Sequence, residues 1–335
     1  MFPVPKVYIV AYEGCYASSL ANTQDLYFVA NAHWCEQHPR SEGLFQCQIL
    51  SLDGESVTTA SGLKIAVDSS LQDVEAGSIL TIPAMNYPGG KLFNSKLAAL
   101  QPITVWLNTQ FAHDCIVCSH CTGSFLLAET GLLNGHQATT SWWLAEQFRS
   151  RYSDIQWSPD QLVVAAERLI TGGANGAEML AALMMVERYM GSAIASQCAK
   201  TLLVDTNLGQ QAPFMVLQSQ LDHHDALVLS VQSWLERNMS APFSLTGLAA
   251  QFDVSSRTLI RRFKKAIGDT PNSYVQNLRI ETTKKLLENT ALNIETIMLQ
   301  VGYADISSFS RLFQRKTGLS PRVYRQRCAY RGLAA

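Results

Sequence analysis

The chain has no apolar run near the roughly 20 residues that a membrane-spanning helix needs; its longest candidates, such as "AALMMV", are far shorter. Membrane insertion is therefore not expected. The N-terminal "MFPVPKVYIVAY" holds one lysine, no long apolar stretch and no small-residue cleavage site, so no secretory leader is expected and the cytoplasm is the expected compartment. Cysteine is sparse, eight in 335 residues without a small-scaffold spacing, which argues against a disulfide framework and for free thiols in a reducing compartment. The adjacent pair His223 and His224 lacks the spaced partners of a zinc site and reads as a linker or helix-start pair. Neither metal nor cofactor is expected.

What is present is an uneven distribution of charge. Residues 1–230 carry 10 Lys and Arg against 20 Asp and Glu, a net −10, and residues 231–335 carry 16 against 7, a net +9, which together recover the −1 of the whole chain. A length of 335 residues suggests two domains or three. A compact basic segment joined to an acidic body fits a polyanion partner, because each cation placed on a phosphate releases condensed counterion. The alternative is a solvated basic face with no partner.

The basic segment repeats itself. "FKKAIGDTPNSY" and "FQRKTGLSPRVY" align Phe263 with Phe313, Gly268 with Gly318, Pro271 with Pro321 and Tyr274 with Tyr324. Upstream of the first, Leu245, Leu248, Ala249 and Phe252 share one helical face behind a capping Ser244; upstream of the second, Ile294, Ile297, Met298 and Val301 do so behind Asn293. Each unit thus reads as helix, tight turn, helix. The later helix of the first unit, about 256–266, buries Leu259, Phe263 and Ile267 and turns Arg257, Thr258, Arg261, Arg262, Lys264 and Lys265 outward. That of the second, capped by Asp305, buries Phe309 and Phe313 and turns out Ser307, Ser308, Arg311, Gln314 and Arg315. Gly268 and Gly318 end these helices and proline follows each. Two helix-turn-helix units result, joined by one helix through "PNSYVQNLRIETTKKLLEN". Such a connector spans about 27 Å at 1.5 Å per residue, close to the roughly 34 Å between successive major-groove turns.

"SSRTLIRRFKKAIGDTPNSYVQNLRIE" and "VGYADISSFSRLFQRKTGLSPRVYRQR" resemble the DNA-binding domain of the AraC/XylS family, over about residues 228–328. The resemblance implies sequence-specific binding of double-stranded promoter DNA, usually as a dimer and usually activating with RNA polymerase. By position, the expected DNA contacts are Ser256, Arg257, Thr258, Arg261, Arg262 and Lys265 of the first recognition helix and Asp305, Ser307, Ser308, Arg311 and Arg315 of the second. Arg261 or Arg311 is the expected base reader, since arginine grips guanine with two hydrogen bonds.

In the acidic body, short apolar runs alternate with helical patterns. "KVYIVAY", "FQCQILSL", "GSILTIPA" and "DCIVCSH" read as buried strands and "ESVTTASGLKIAVD" as a small hairpin. The alternation predicts a parallel sheet flanked by helices. "DQLVVAAERLITGGANGAEMLAALMMVERYMG" reads as a strand or hairpin, a Gly-rich turn and a long apolar helix near 177–190. The expected division is an α/β domain over 1–205, a linker over 206–227 and an all-α domain over 228–330.

In "CIVCSHCTGSFLLAETGLLNG" three cysteines stand three apart. A shared metal ion fails on geometry, because Cys115 and Cys118 in a strand lie about 10 Å apart on opposite faces. An iron–sulfur run also fails, because Phe125 stands where a fourth cysteine is needed. "IVCS" predicts the strand, 120–123 the turn and "SFLLAETGLL" the helix, which sets Cys121 on an elbow at the sheet's carboxyl edge, where ligand crevices lie.

"SHCTGSFLLAETGLLNGHQATTSWW" and "LITGGANGAEMLAALMMVERYMG" resemble the DJ-1/PfpI group of the class I glutamine amidotransferase-like fold, over residues 5–205, with a flavodoxin-like sheet. Joined to the C-terminal resemblance, the chain is similar to the GlxA-type regulators, which implies a homodimer sensing a small, nitrogen-containing metabolite. It departs from the enzymes of the group: Thr122 replaces the histidine that follows their cysteine, Ser141 stands where related regulators place another, and "YASSLA" lacks their carboxylate. A thiolate needs a positioned base, so no enzyme activity is expected. His120, Cys121, Thr122, Ser141 and Trp142 are the candidate effector-binding residues. The alternative is a cysteine hydrolase or amidotransferase-like enzyme, or a thiol redox sensor, that uses Cys121.

Overall fold

The computed structural model describes residues 6–71, 74–174, 176–206, 211, 223, 225–242 and 244–328. The chain divides into two compact units, Met1–Gln211 and Ala212–Ala335. Most of the expected linker, with His224 and the end of the chain beyond 328, lies outside the described residues.

In the first unit, strands β1 (Val7–Val10), β2 (Cys47–Ser51), β3 (Val57–Thr58), β4 (Lys64–Ile65), β5 (Ser69–Ser70) and β6 (Ile79–Ile82) follow one another, with α1 (Ala17–Gln37) after β1. Then come α2 (Gly90–Ala99), α3 (Gln101–Ala112), β7 (Ile116–His120), α4 (Gly123–Ala128) and β8 (Gln137–Ala138). A short 3-10 turn (Trp142–Leu144), α5 (Ala145–Arg151), β9 (Gln156–Trp157), β10 (Val163–Ala166), β11 (Leu169–Gly172), α6 (Ala177–Met190) and α7 (Ser192–Thr201) complete it. A seven-stranded sheet runs β10-β11-β7-β6-β1-β2-β5. Its pairs are parallel except β10–β11, which closes antiparallel. Strands buried on both faces are continuously apolar rather than alternating, and β1, β6 and β7 are buried at every residue. Val7, Ile9, Ile79, Val117, Leu126 and Phe148 belong to the single core of this unit. The expected α/β fold, the β3–β4 hairpin and the helix at 177–190 are all present.

Two details differ from expectation. The helix after the elbow was expected to reach residue 133, but α4 ends at Ala128. Thr130 turns its hydroxyl back onto the carbonyl of Leu127 and accepts from the amide of Leu132, and Gly131 at φ 77° cannot continue the helix. Gln211, expected in the linker, is buried within the first unit. His223 accepts from the amide of Asp225 and pairs with Gln232, a helix-start role.

In the second unit, α8 (Ala226–Arg237), α9 (Leu245–Gln251), α10 (Ser256–Ile267), α11 (Pro271–Asn289), α12 (Ile294–Gln300), α13 (Ile306–Thr317) and α14 (Pro321–Cys328) follow in order. Side chains cap most of them: Asp225, Ser244, Ser255, Thr270, Asn293 and Asp305 each accept an amide of the first turn. A side-chain cap satisfies a donor that the helix itself leaves orphaned. Gly268 and Gly318 take left-handed φ of 72° and 75° at the ends of α10 and α13.

The repeat becomes two small cores. One gathers Val231, Leu235, Leu248, Leu259, Phe263 and Tyr274; the other gathers Ile280, Leu287, Ile297, Phe309, Phe313 and Tyr324. The repeated Phe and Tyr meet edge to face in both, Phe263 with Tyr274 and Phe313 with Tyr324. Each tyrosine hydroxyl then donates to a glutamate, Tyr274 to Glu236 at 3.2 Å and Tyr324 to Glu288 at 2.5 Å. The connector α11 enters both cores, Val275 in the first and Ile280 in the second.

Arg279, between those two residues, fixes one half against the other. Its guanidinium donates to the carbonyls of Met239 (2.7 Å), Ala241 (2.9 Å) and Gly302 (3.1 Å) and lies 5.1 Å from the Tyr303 ring centroid. Gly302, at φ 84°, lets this happen, because a Cβ there would fall 2.6 Å from the carbonyl oxygen of Ser240. Hydrogen bonds to a charged group contribute more than neutral ones, and truncation would leave buried carbonyls unpaired. Arg279→Ala is expected to destabilise the helical unit by about 2–4 kcal/mol, with Arg279→Lys recovering only part, since an ammonium lacks the planar fork. Urea denaturation of the full chain checks this: the transition of the helical unit should move and that of the α/β unit should not.

Candidate functional site

The elbow forms where β7 ends. Cys121 adopts φ 54°, its amide donates to the carbonyl of Gly172 at 2.9 Å, and its carbonyl accepts the amide of Ser124 as α4 begins. A left-handed φ is uncommon for a residue with a Cβ and marks a chain forced to turn sharply. The thiol does not face open solvent, since Cys121 is only 4% exposed. The Ser141 hydroxyl donates to its sulfur at 2.8 Å, and the Thr140 hydroxyl donates to its carbonyl at 2.5 Å.

The neighbouring candidates are occupied in holding this turn. Thr122 both donates to the carbonyl of Met85 (2.6 Å) and accepts its amide (2.7 Å), so its hydroxyl ties the elbow to the segment after β6. His120, fully buried, accepts the amide of Ala84 at Nε2, 3.3 Å away. The same nitrogen stands 4.0 Å from the Glu178 carboxylate, which would favour a proton. Burial outweighs that carboxylate and lowers the His120 pKa, and the incoming amide already uses the lone pair at Nε2, so the ring is neutral. Trp142 is half-buried and begins the short turn after Ser141.

Glu178 is the functional-type residue that sequence reasoning missed. It lies in the first turn of α6, is buried, and accepts from the Asn22 amide group (2.9 Å) and the Gly176 amide (2.6 Å). A lone acid in the first turn of α6, ahead of the apolar run "MLAALMMV", was the available signal, because a carboxylate is favoured at a helix N-terminus. It does not activate the thiol: burial raises the Cys121 pKa, the Ser141 and Thr122 hydrogen bonds lower it, and the charge of Glu178 raises it again. A thiol held protonated is a poor nucleophile. The groove of about 700 Å³ on this unit lies elsewhere, lined by Leu183, Met184, Ala195 and Leu203 of the α6–α7 region.

In the second unit, α10 and α13 carry the expected DNA-facing residues. Arg257, Arg261 and Lys265 on α10, and Ser307, Ser308, Arg311 and Arg315 on α13, are exposed. Among described residues none of these cations is in an ion pair; Arg311 reaches only its own neighbour Ser308, at 3.5 Å. Ser256 opens α10, while the capping falls to Ser255, whose hydroxyl also donates to Thr258. Asp305 accepts the amide of Ser308 at 2.6 Å as the cap of α13, and those hydrogen bonds lower its pKa. Arg262 differs from its neighbours. Its guanidinium grips the Asp225 carboxylate through Nε (2.8 Å) and Nη2 (2.5 Å), so it ties α10 to the start of α8.

The Helix-turn-helix domain family model matches residues 248–327 and the DJ-1/PfpI family model matches residues 35–188. The HTH-type transcriptional regulator CdhR of Pseudomonas aeruginosa is 25% identical over 280 residues, 83% of this chain and 81% of that protein. The chain thus joins an AraC-type helix-turn-helix domain to a DJ-1/PfpI domain. This regulator is likewise 24% identical to the HTH-type transcriptional regulator GbdR of the same species, over 84% of this chain and 75% of that one. Its helical unit is 35% identical over 106 residues to the HTH-type transcriptional activator RhaS of an Enterobacter species, 32% of this chain and 38% of that protein. A solved Vibrio parahaemolyticus chain described as a transcriptional regulator superposes with a TM-score of 0.51 at 18% identity, covering 59% of this regulator and 98% of that chain, a likeness of fold. No helix among the described residues is long and apolar enough to cross a membrane.

The burial of the elbow makes a measurable statement about its thiol. In the native protein at pH 7.5, iodoacetamide is expected to label Cys121 far more slowly than the partly exposed Cys35. Labelling should accelerate only above the ordinary thiol range, and Ser141→Ala should slow it further by removing the hydrogen bond that stabilises the thiolate. Peptide mapping by mass spectrometry reads both.

Proposed function

We propose that this regulator binds promoter DNA as a homodimer and activates transcription with RNA polymerase in response to a small metabolite held by its DJ-1/PfpI unit. One observation carries the DNA reading: two capped helices, α10 and α13, each seated on a buried Phe–Tyr pair, present exposed arginines from a segment of net charge +9. A recognition helix needs a rigid seat and an outward cationic face, because phosphate contacts set its register while base contacts specify sequence. The activating role takes support from the likeness of the helical unit to RhaS.

For the first unit, binding without turnover is the reading that the elbow favours. Its thiol is buried and raised in pKa, the position after it is a threonine hydrogen-bonded to backbone, and the histidine beside it is neutral with its lone pair in use. Among the described residues, no base hydrogen-bonds the sulfur; its side-chain partner there is the Ser141 hydroxyl. A turnover that Cys121→Ala abolished would overturn this half of the proposal.

The DNA half rests on Arg261 and Arg311. Replacing either by alanine is expected to weaken cognate promoter binding by about 5- to 150-fold, or about 1–3 kcal/mol. Arg262→Ala should leave base preference unchanged while loosening α10 from α8. Fluorescence-anisotropy titrations at one fixed salt concentration, on cognate and base-substituted promoters, check all three, and unchanged affinity for both Arg261→Ala and Arg311→Ala would overturn the assignment.

A further inference from the structure

Gln211 is the last residue of the first unit, directly before the second begins at Ala212. It is only 1% exposed, an unusual placement for a glutamine in a connecting segment, because burying a carboxamide is costly unless its hydrogen bonds are made. Here they are. Its Nε2 donates to the carbonyl of Thr140 (2.9 Å), the hydroxyl of Thr139 (3.1 Å) and the carbonyl of Gln161 (3.3 Å). Its Oε1 accepts the backbone amide of Trp142 at 3.3 Å. Its own amide donates to the carbonyl of Asp160 at 2.8 Å.

The wall is shaped for that group. A Cβ on Gly173 would stand 2.7–2.9 Å from Oε1, Cδ and Nε2 of Gln211, so the glycine leaves the space in which the carboxamide lies. The residues that bind it, 139–142, are also those that back the elbow through Thr140 and Ser141. The chemistry of the wall is selective. A carboxylate would set its second oxygen against two carbonyl oxygens, and an ammonium would leave the Trp142 amide without an acceptor. A group with an NH2 donor on one side, its two hydrogens shared among the three acceptors, and a carbonyl acceptor on the other matches both sides of the wall.

We propose that residues 139–142, 161 and 173 form a recognition pocket for a primary carboxamide, that Gln211 is its built-in occupant, and that a small metabolite ending in a carboxamide competes with Gln211 for it. The proposal deepens the effector reading above and rests on it for the pocket's biological role. A competitor that takes the pocket releases the chain at the covalent junction between the two units, which gives the ligand a direct route to the DNA-binding half. The apparent affinity of wild type is lowered by the fraction of time its own side chain holds the site.

The test uses the full chain and propanamide, which reproduces the glutamine side chain beyond its Cα, with propionate and propylamine as charged controls, all by isothermal titration. Gln211→Ala should bind propanamide at least about 10-fold more tightly than wild type, the difference being the removed competitor, and should bind neither control. Gln211→Glu, which keeps the size but turns a donor into an acceptor, should behave like Gln211→Ala and guards against a folding defect in that variant. Adding Gly173→Ala to Gln211→Ala should abolish binding. Equal affinity for propanamide in wild type and both variants, or propionate binding as well as propanamide, overturns the pocket. Promoter affinity measured beside it separates the two readings: propanamide binding with promoter affinity unmoved upholds the pocket and overturns its effector role, whereas absent binding with intact promoter affinity overturns the pocket alone.

Discussion

Two small cores can act as one DNA-reading surface only if something fixes one against the other, and in this chain a buried guanidinium does so. Arg279 sits on α11 between Val275, which belongs to the first core, and Ile280, which belongs to the second. Its three carbonyl partners come from the segment after α8 and from the turn between α12 and α13. The guanidinium suits the task because its donors diverge in one plane and it keeps its charge when buried. The turn in turn depends on Gly302, which allows the backbone to pass against Ser240, and Ser240 donates to the carbonyl of Gln300 at 2.7 Å. Beside the continuous helix α11, which enters both cores, backbone contacts around one side chain thus tie the two halves together.

The elbow in the other unit shows a sharply turned cysteine whose neighbouring polar groups are engaged in holding the turn. The strained φ of Cys121 lies where the chain turns sharply from β7 into α4. What makes an enzyme of it is a base, and here the adjacent polar groups are spent on structure. Thr122 holds the backbone of Met85, and Ser141 holds the sulfur itself. His120 faces Ala84 and Glu178 from the interior. Each of these bonds stabilises the turn while removing a group that could move a proton.

Much of this was legible in the sequence. The repeat, its caps at Ser244, Asn293 and Asp305, and the apolar strands followed from period and capping chemistry, which are local properties. The end of α4 was missed because the back-bonding of Thr130 competes with helix only once the chain can turn, and the pattern "LLAETGLL" is helical by composition. Arg262 looked the same as Arg261 because both lie on the outer face of α10. Only the approach of Asp225, 37 residues earlier, distinguishes them. Gln211 was illegible for the same reason, being buried by partners distant in sequence, whereas Glu178 carried one local mark, its place in the first turn of α6.

The two kinds of miss have different weight for function. Arg262 is a cation engaged by Asp225, whereas Arg257, Arg261 and Lys265 are the exposed cations among the expected contacts of α10, a contrast between holding the helix and presenting free charge. Gln211 is a polar group added to a site, and it changes what the site can recognise. A ligand shifts an equilibrium only by its difference in affinity between two states, so a sensor needs a contact that exists in one state and not in the other. In the proposed regulator, a pocket already filled by the protein's own carboxamide supplies that contact: the state with Gln211 seated and the state with a ligand seated exclude each other, because the space over Gly173 holds one group at a time.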